Sequence, residues 1–329
     1  MIYYREDIET KPLVSIVICT YNRESLIRKA IDSVLNQKID FLIEILIGDD
    51  ASTDGTRDIL LNYQKRYPNI FTLLFHEKNQ GTGSNWAQVV KLVNGKYIAL
   101  CDDDDYWHYE YKLQKQVEVL ESNNSIGLVH TNYRKYFINK EKYKEIRIKN
   151  SKTKELIFSL FDGEYTIFTS SVVFRNSLIE KYVILDDYIK YRFPIQDWIT
   201  WMLIAKYTQF YHLNISTFTY CLSTNSVTRS LNYEKLVDRY ENEQIMYKYI
   251  CNKFPDELNY DAKRWSKYVN YIFLVFAYNT KDFKKANYYG KKINKFSLRV
   301  FCSKNILLFN IYVLLKKKTK IFFELSEVL

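Results

Sequence analysis

Glycine and proline are scarce in this 329-residue chain, at 8 and 4. That leaves little material for linkers, so the chain reads as one large domain, or one domain with an appendage. Histidine is also scarce, at 4, and no C-x-x-C occurs among Cys19, Cys101, Cys221, Cys251 and Cys302. A zinc site is therefore not expected. The cysteines are far apart and odd in number, which fits a reducing compartment. Cys19 and Cys101 lie in apolar runs, where a thiol packs as a small hydrophobe. No uninterrupted apolar run reaches about 18 residues, so no spanning helix is expected. The N-terminal MIYYREDIETKP lacks the apolar core of a leader peptide. The absence of G-x-G-x-x-G argues against a nicotinamide oxidoreductase.

What remains is a globular composition, 47% apolar and 26% charged. Thirty tyrosines accompany abundant Lys, Asn and Ile, a pattern of coding bias more than of tyrosine chemistry. The formal charge is +10, but residues 281–320 alone hold twelve Lys/Arg against one acid, Asp282. The rest of the chain is thus close to neutral, and the basicity belongs to the C-terminal segment. Such a segment favours anionic membrane surfaces or nucleic acid. No nucleic-acid-binding module is recognisable in it, so nucleic acid is not expected as a partner.

The first half alternates short apolar runs with helical patterns. VSIVIC (14–19), IEILIG (43–48), FTLLFH (71–76) and KYIALC (96–101) read as buried strands. Helices are predicted over 25–36, from Asp54-Gly55-Thr56 to about 67, and over 84–93. This alternation predicts an α/β fold with a mostly parallel central sheet and helices on both faces. Ligands bind at the carboxyl ends of such strands. TYNR, DDASTDG, NQGTGSN and DDDD each follow one strand directly, so four loops are expected on one edge. Strands are also read at 127–137 and 170–175, with a charged loop or hairpin at 139–154 between them. Asp197 opens an amphipathic helix, DWITWMLIAKY, and a short strand should precede YCLSTNSVTRS. From about Asn232 the pattern is helical, which divides the chain into 1–230 and 231–329.

Four adjacent carboxylates, Asp102 to Asp105, end a buried strand and repel one another. A divalent cation relieves that repulsion, and hard oxygen ligands suit Mn²⁺ or Mg²⁺ with a diphosphate completing the shell. In an extended segment Asp102 and Asp104 would face the same way. Asp49 ends the second strand, where an acid can accept hydrogen bonds from a base or ribose. Helix capping in the turn Asp50-Ala51-Ser52-Thr53-Asp54-Gly55 is the alternative, and the favoured one for Ser52 and Asp54. Asp197 is a lone carboxylate that can act as a general base or cap its helix.

The series SIVICTYNR, EILIGDDASTDGT, NQGTGSN, YIALCDDDDYW and IQDW resembles the family 2 glycosyltransferases of the GT-A fold. The resemblance covers about residues 11–230. It implies that Thr20, Asn22 and Arg23 seat the nucleotide, that Asp49 binds the base, and that Asp102 lies near the ribose with Asp103 beside it. Asp104 would hold the metal, Asp105 matches a further acid of the pattern, and Asp197 matches the catalytic base. The family often has Glu-Asp before the base helix, where this chain has Gln196-Asp197. One base opposite a nucleotide-diphosphate leaving group implies inversion at the anomeric carbon, and UDP is the nucleotide the resemblance favours. The acceptor would be a carbohydrate or lipid-linked saccharide in bacterial surface polysaccharide or glycolipid assembly.

Ser226 and Arg229 could close over the diphosphate, or belong to an ordinary polar loop. Asn79, Gly81 and Asn85 could touch the donor, although turn chemistry accounts for them equally. Residues 299–318 form an apolar body with Ser303, Asn310 and Lys317 as a narrow polar stripe. This suits an in-plane membrane helix, placing a cytoplasmic protein at the inner face of the membrane, or a helix packed on the domain. Two rival readings are a sugar-nucleotide pyrophosphorylase and an inactive binding module. The first resembles enzymes with a Gly-rich loop after the first strand, where this chain has TYNRES. The second would need loss of carboxylates that are present.

Overall fold

A computed structural model describes residues 1–5, 11–138, 141–148, 155–163, 165–222, 233–280 and 282–292. Ser226, Arg229 and the 299–318 segment lie outside the described residues. Contacts divide the chain into Met1–Leu231 and Asn232–Leu329.

The first unit is built on a mixed sheet. After the short β1 (Ile2–Tyr3) comes β2 (Val14–Thr20), whose β-branched residues are almost all buried. Helix α1 (Ile27–Leu35) buries Ile27, Ala30, Ile31 and Val34, a spacing that gives one apolar stripe. Strand β3 (Ile43–Asp49) leads to α2 (Thr56–Arg66), which buries Thr56, Ile59, Leu60 and Tyr63. Strand β4 (Phe71–Phe75) follows, then α3 (Thr82–Val90), which is covered nearly all round. A Cβ on Gly83 would lie 2.2 Å from the Phe193 carbonyl oxygen, so only glycine allows this helix its close approach. Strand β5 (Tyr97–Leu100) delivers the chain to the four aspartates. The four predicted strands and their three helices are thus present, each within a few residues of its expected bounds.

Beyond them lie β6 (Tyr106–Trp107), α4 (Lys112–Ser122), the long β7 (Ile126–Phe137) and β8 (Lys142–Ile146). Strand β8 pairs antiparallel with β7, so the charged 139–154 stretch contains a hairpin arm. Next come α5 (Leu156–Phe161), a 3-10 turn at Thr169–Ser171, β9 (Val173–Arg175), α6 (Asn176–Tyr182), α7 (Leu185–Tyr191) and α8 (Asp197–Ile204). Helix α8 is not amphipathic as expected: Ile199, Thr200, Trp201, Met202, Leu203 and Ile204 are all buried. Strand β10 (Gln209–Leu222) is long where a short strand was expected, because it runs parallel to β7 along most of its length.

The strand order is β1-β4-β3-β2-β5-β9-β7-β10-β6. Strands β2, β3, β4 and β5 are mutually parallel, and β9 runs antiparallel between β5 and β7. Two antiparallel pairings restore direction, so β7 and β10 point the same way as β5. The carboxyl ends of six strands therefore share one edge, where ligands bind in such sheets. The second unit contains α9 (Tyr233–Lys253), α10 (Ala262–Asn279) and α11 (Phe283–Lys292). No helix among the described residues is long and apolar enough to cross a membrane.

Candidate active site

The loops after β2 and β3 are tied to each other. Asn22 adopts a left-handed backbone at φ 53°, which asparagine tolerates well. Its amide oxygen accepts the Thr53 N–H at 2.8 Å, and its own N–H donates to Ser52 Oγ at 2.8 Å. Ser52 thus bridges two loops instead of capping α2. Asp54 does meet the helix start, its Oδ1 accepting the Thr56 N–H at 3.0 Å. Asn22 and Arg23 meet different partners. The Arg23 Nε donates to Asp103 Oδ1 at 3.2 Å, linking the first motif to the fourth.

Asp49 is fully buried at the end of β3. Its Oδ1 takes the Arg57 Nε at 2.5 Å and the Ser52 N–H at 3.1 Å. Its Oδ2 is buried without a hydrogen-bond partner, which leaves one acceptor atom unused. Asp50 organises the next loop, with Oδ1 on the Gln80 N–H at 2.7 Å and Oδ2 on the Gly81 N–H at 2.9 Å. Gly81 sits at φ 85°, the left-handed region that favours glycine. Asn79 donates to the Asp50 carbonyl at 3.2 Å. Asn85 is buried, donating to the Gly48 carbonyl at 2.8 Å and facing His76 Nε2 at 3.1 Å. Asn79, Gly81 and Asn85 thus hold the loop and α3 in place.

The four aspartates do not run on as an extended strand. The Asp105 N–H returns to the Asp102 carbonyl at 3.2 Å, so they form a turn, and proximity comes from that turn instead of from strand alternation. Burial, followed by the charges of Asp104, Asp197 and Asp103, pushes the Asp102 carboxyl well above the usual range. Asp103 is pushed up to about 6 by burial and Asp104, against the pull of Arg23. Burial also raises Asp104, again against Arg23. Asp105 differs from the others. It is 2% exposed, its Oδ2 accepts the Ser170 hydroxyl at 2.9 Å, and its Oδ1 accepts the Cys221 N–H at 3.1 Å. Both oxygens are engaged within the protein, which makes it a tie between the turn and β10.

Asp197 stands half-buried at the first residue of α8, where the helix dipole favours a negative charge. Its Oδ2 accepts the Thr169 hydroxyl at 3.1 Å, and its Oδ1 accepts the Trp198 N–H at 2.6 Å. Burial raises its pKa, opposed by these two bonds. Its charge is felt at Asp102, and Arg23 reaches Asp103, so the ends of β2 and β5 and the head of α8 meet in one place.

The sequence motifs do not include Thr169-Ser170-Ser171, yet this turn joins the site together. Thr169 holds Asp197, while Ser170 takes the Asp102 N–H at 3.0 Å and donates to Asp105. The Ser171 carbonyl accepts the Gln116 amide at 2.9 Å. Hydroxyls after a loop carry no local mark of such a role. A separate cleft of about 600 Å³ lies between the β2–α1 loop and α2, lined by Glu24, Arg28, Asp54 and Asp58 among others. None of the four aspartates and not Asp197 lines it.

Among the described residues no three His, Cys, Asp or Glu side chains form a ready metal site. The turn does crowd like charges whose raised pKa values a cation would lower. A site of one or two carboxylates completed by substrate phosphates is how Mg²⁺-type ions are commonly held. The residues present fit that arrangement.

Comparison with known proteins places this geometry. The solved fragment 1–349 of S. aureus TarS with UDP-GlcNAc matches with a TM-score of 0.55 at 16% identity, over 87% of this chain and 83% of that one. The mannosyltransferase PcManGT of Pyrobaculum calidifontis, solved with GDP-Man and Mn²⁺, matches with a TM-score of 0.52 at 15% identity, over 98% and 86%. The fold is thus the GT-A arrangement that the resemblance implies. An uncharacterized protein of Mycobacterium tuberculosis, Rv1520, is 43% identical over 108 residues, 33% of this chain and 31% of its own length. The poly(ribitol-phosphate) beta-glucosyltransferase of Bacillus spizizenii is 31% identical over 180 residues, 50% of this chain and 26% of its own. The chain spans about a third of the length of the first curated relatives it matches. The family model for glycosyl transferase family 2 matches residues 15–183, half of the chain, and the chain belongs to that family.

Proposed function

We propose that this glycosyltransferase is a metal-dependent, inverting enzyme that moves a sugar from a UDP-sugar to an acceptor hydroxyl. The observation that carries the reading is the meeting of Asp197 with the Asp102–Asp105 turn, close enough for the Asp197 charge to raise the Asp102 carboxyl. A transfer of this kind needs a base on one side of the anomeric carbon and a neutralised leaving group on the other.

Asp197 is the base. It is the one acid of this cluster that comes from α8 and not from the turn, which suits attack from the face opposite the leaving group. Burial raises its proton affinity, and Thr169 and the helix start keep it ionised and aimed. A single base in this position gives inversion. On the donor side Asp49 offers its unused Oδ2 to the nucleobase, and Asp102 faces the ribose. Arg23 pairs with Asp103 and keeps the turn in register with the first loop, and Thr20 at the end of β2 offers its unpartnered buried hydroxyl to the nucleotide. Asp104, with Asp102 beside it, would hold Mn²⁺ or Mg²⁺, which supplies Lewis-acid stabilisation of the departing diphosphate when bound.

The bound nucleotides of the structural neighbours, UDP-GlcNAc and GDP-Man, support a nucleotide-sugar donor. The relatives named for teichuronic acid biosynthesis and for poly(ribitol-phosphate) support a role in cell-surface polymer assembly. We place the enzyme at the inner face of the membrane, with the basic 281–320 segment as its means of attachment. The reading is tested by titrating the full chain with UDP in the presence of Mn²⁺ or Mg²⁺ and then supplying UDP-sugars. Cation-dependent UDP binding and release of UDP from one of the sugars are expected. No UDP binding with either cation would overturn it.

A further inference from the structure

The strand order separates the two substrates. Thr20 and Asp49, proposed to meet the nucleotide, end β2 and β3 on one side of β5, and β9, β7 and β10 lie on the other. The 3-10 turn that holds Asp197 lies against β5, β7 and β10. A hydroxyl that reaches Asp197 must therefore come over this second side. Ala99 on β5, Val173 on β9 and Val129 on β7 are paired across the sheet, so Asp102 is level with Asn132. Tyr133 is the next residue, and Tyr220, opposite Lys135, stands about 10 Å beyond that level.

This side is walled by aromatic rings. Tyr133 and Phe218 are buried and stack with centroids 5.4 Å apart. Phe168 packs on Tyr133 at 4.2 Å, and Tyr220 meets Phe168 at 5.7 Å and Tyr133 at 6.3 Å. Burial, with Tyr220 and Asp105 nearby, pushes the Tyr133 hydroxyl up to about 12, so the cluster adjoins the acidic turn. Phe168 and Tyr220 are only half-buried and are the outward members of the cluster.

Each outward ring is fastened to one end of the reaction centre. Phe168 precedes Thr169, whose hydroxyl holds Asp197. The Phe168 carbonyl accepts the Ser171 N–H at 2.9 Å and the Ser171 hydroxyl at 2.6 Å, which fixes its backbone. Tyr220 precedes Cys221, whose N–H holds Asp105 at 3.1 Å. Core packing accounts for Tyr133 and Phe218. It does not account for two further rings left partly open beside a base that must receive a substrate.

We propose that Phe168 and Tyr220 form an acceptor subsite, and that the receiving unit of the acceptor is a pyranose ring. The inference rests on the transferase reading and names its acceptor class. A pyranose has a face of C–H groups, with hydroxyls round its rim. Laying that face on a ring removes apolar area from water, and the negative face of the aromatic attracts the polarised C–H groups. Stiff aromatic side chains lose little entropy in doing so. The rim hydroxyl turned to Asp197 gives up its proton there, and its oxygen bonds to the anomeric carbon. The bond from that carbon to the diphosphate breaks, and the electron pair leaves on UDP. An open-chain alditol phosphate has no flat apolar face and would gain little from the two rings.

The test uses the full chain with UDP and Mn²⁺. The probes are the methyl pyranosides of glucose, galactose and N-acetylglucosamine, with open-chain glucitol and ribitol 5-phosphate beside them. Saturation-transfer NMR should show at least one pyranoside in contact through its C–H face, and neither open-chain compound. Phe168→Leu and Tyr220→Leu keep an apolar side chain and remove a ring. Each should weaken pyranoside binding about tenfold, the low end of what one lost apolar contact costs. Tyr220→Phe keeps the ring and should retain the binding. With a UDP-sugar, the ratio of transfer to hydrolysis by water should fall about tenfold in the Leu variants, since water needs no ring to rest on. An unchanged ratio would show that the rings only brace Thr169 and Asp105, and would overturn the proposal. No contact from any pyranoside, or open-chain probes that bind as well, would also overturn it. UDP affinity in the same samples checks that each variant is folded. A chain that takes no UDP but loses pyranoside contact in both Leu variants would fault the transferase reading and support the ring subsite.

Discussion

The Thr169 hydroxyl donates to Asp197 Oδ2 across 3.1 Å and so ties the 3-10 turn to the head of α8. The bond favours the ionised carboxylate, against the burial that raises its pKa. Removing it with Thr169→Val should raise that pKa further. A base is active when deprotonated, so the acid limb of the rate profile should move to higher pH. Asp197→Asn should lower transfer by about 10²–10⁴-fold, the usual worth of a general base, with UDP affinity nearly unchanged. An acid limb that stays in place in Thr169→Val would mean that another group titrates.

Asp104 offers a second test, because its role is separable from that of Asp197. Chelation of divalent ions should abolish UDP-sugar turnover in the wild type, and Mn²⁺ should restore it. Asp104→Ala should weaken cation-dependent UDP binding by at least about tenfold, the low end of what metal-site changes cost. Isothermal titration with and without Mn²⁺ separates the two effects. If the variant still gains the full wild-type increment from Mn²⁺, the cation is held elsewhere.

Ser170 joins Asp102 and Asp105 through one oxygen, taking an N–H from the first and donating to the second. Ser170→Ala leaves Asp105 Oδ2 buried without its donor. Such a loss costs about 1–3 kcal/mol, and more when the stranded group is charged. Urea denaturation should show a midpoint lowered accordingly with an unchanged slope. Transfer should fall as well, because the turn that carries Asp104 loses its fastening. A stability unchanged within about 0.5 kcal/mol would show that Asp105 finds another partner.

The contrast between Asp104 and Ser170 shows what was legible in the sequence. Carboxylates directly after buried apolar strands stand out, because the strand places them and the acid type names the chemistry. Asp49 and Asp102 to Asp104 stand out in this way, whereas Asp197 opens a helix and is singled out by the resemblance. Asp105 has the same signature, and only the fold shows that Cys221 and Ser170 enclose it. Asn85 falls inside the helix predicted over 84–93, and only the fold shows that α3 carries it inward against Gly48. Thr169 and Ser170 gave no signal, since their partners lie 28 and 65 or more residues away in sequence. Their role is created by β9 inserting antiparallel beside β5, a pairing that local periodicity does not encode.

Lys112 closes the network from below and gives a prediction of opposite sign to the usual one for lysine. It is fully buried at the start of α4, its Nζ donating to Gln116 Oε1 at 2.8 Å and lying 4.2 Å from the Trp107 centroid. That bond orients the Gln116 amide, whose Nε2 donates to the Val129 and Ser171 carbonyls at 2.8 and 2.9 Å. Burial pushes the ammonium pKa down from 10.5 to about 7, against a small opposing effect of Cys101. Between those two values the unfolded chain holds a proton that the folded chain has lost, so this group favours folding more as pH rises. Below about 7 both states are protonated and the full cost of burying the charge remains, on the order of a few kcal/mol. Lys112→Met removes that cost but strands Gln116 Oε1, a loss of about 1–3 kcal/mol at any pH. The variant should therefore gain on the wild type at pH 7 and lose to it near pH 10. The crossing is read from chemical denaturation of both proteins at each pH, so that other titrating groups cancel. A stability difference that stays constant from pH 7 to 10 would show that Lys112 keeps its proton in the folded state.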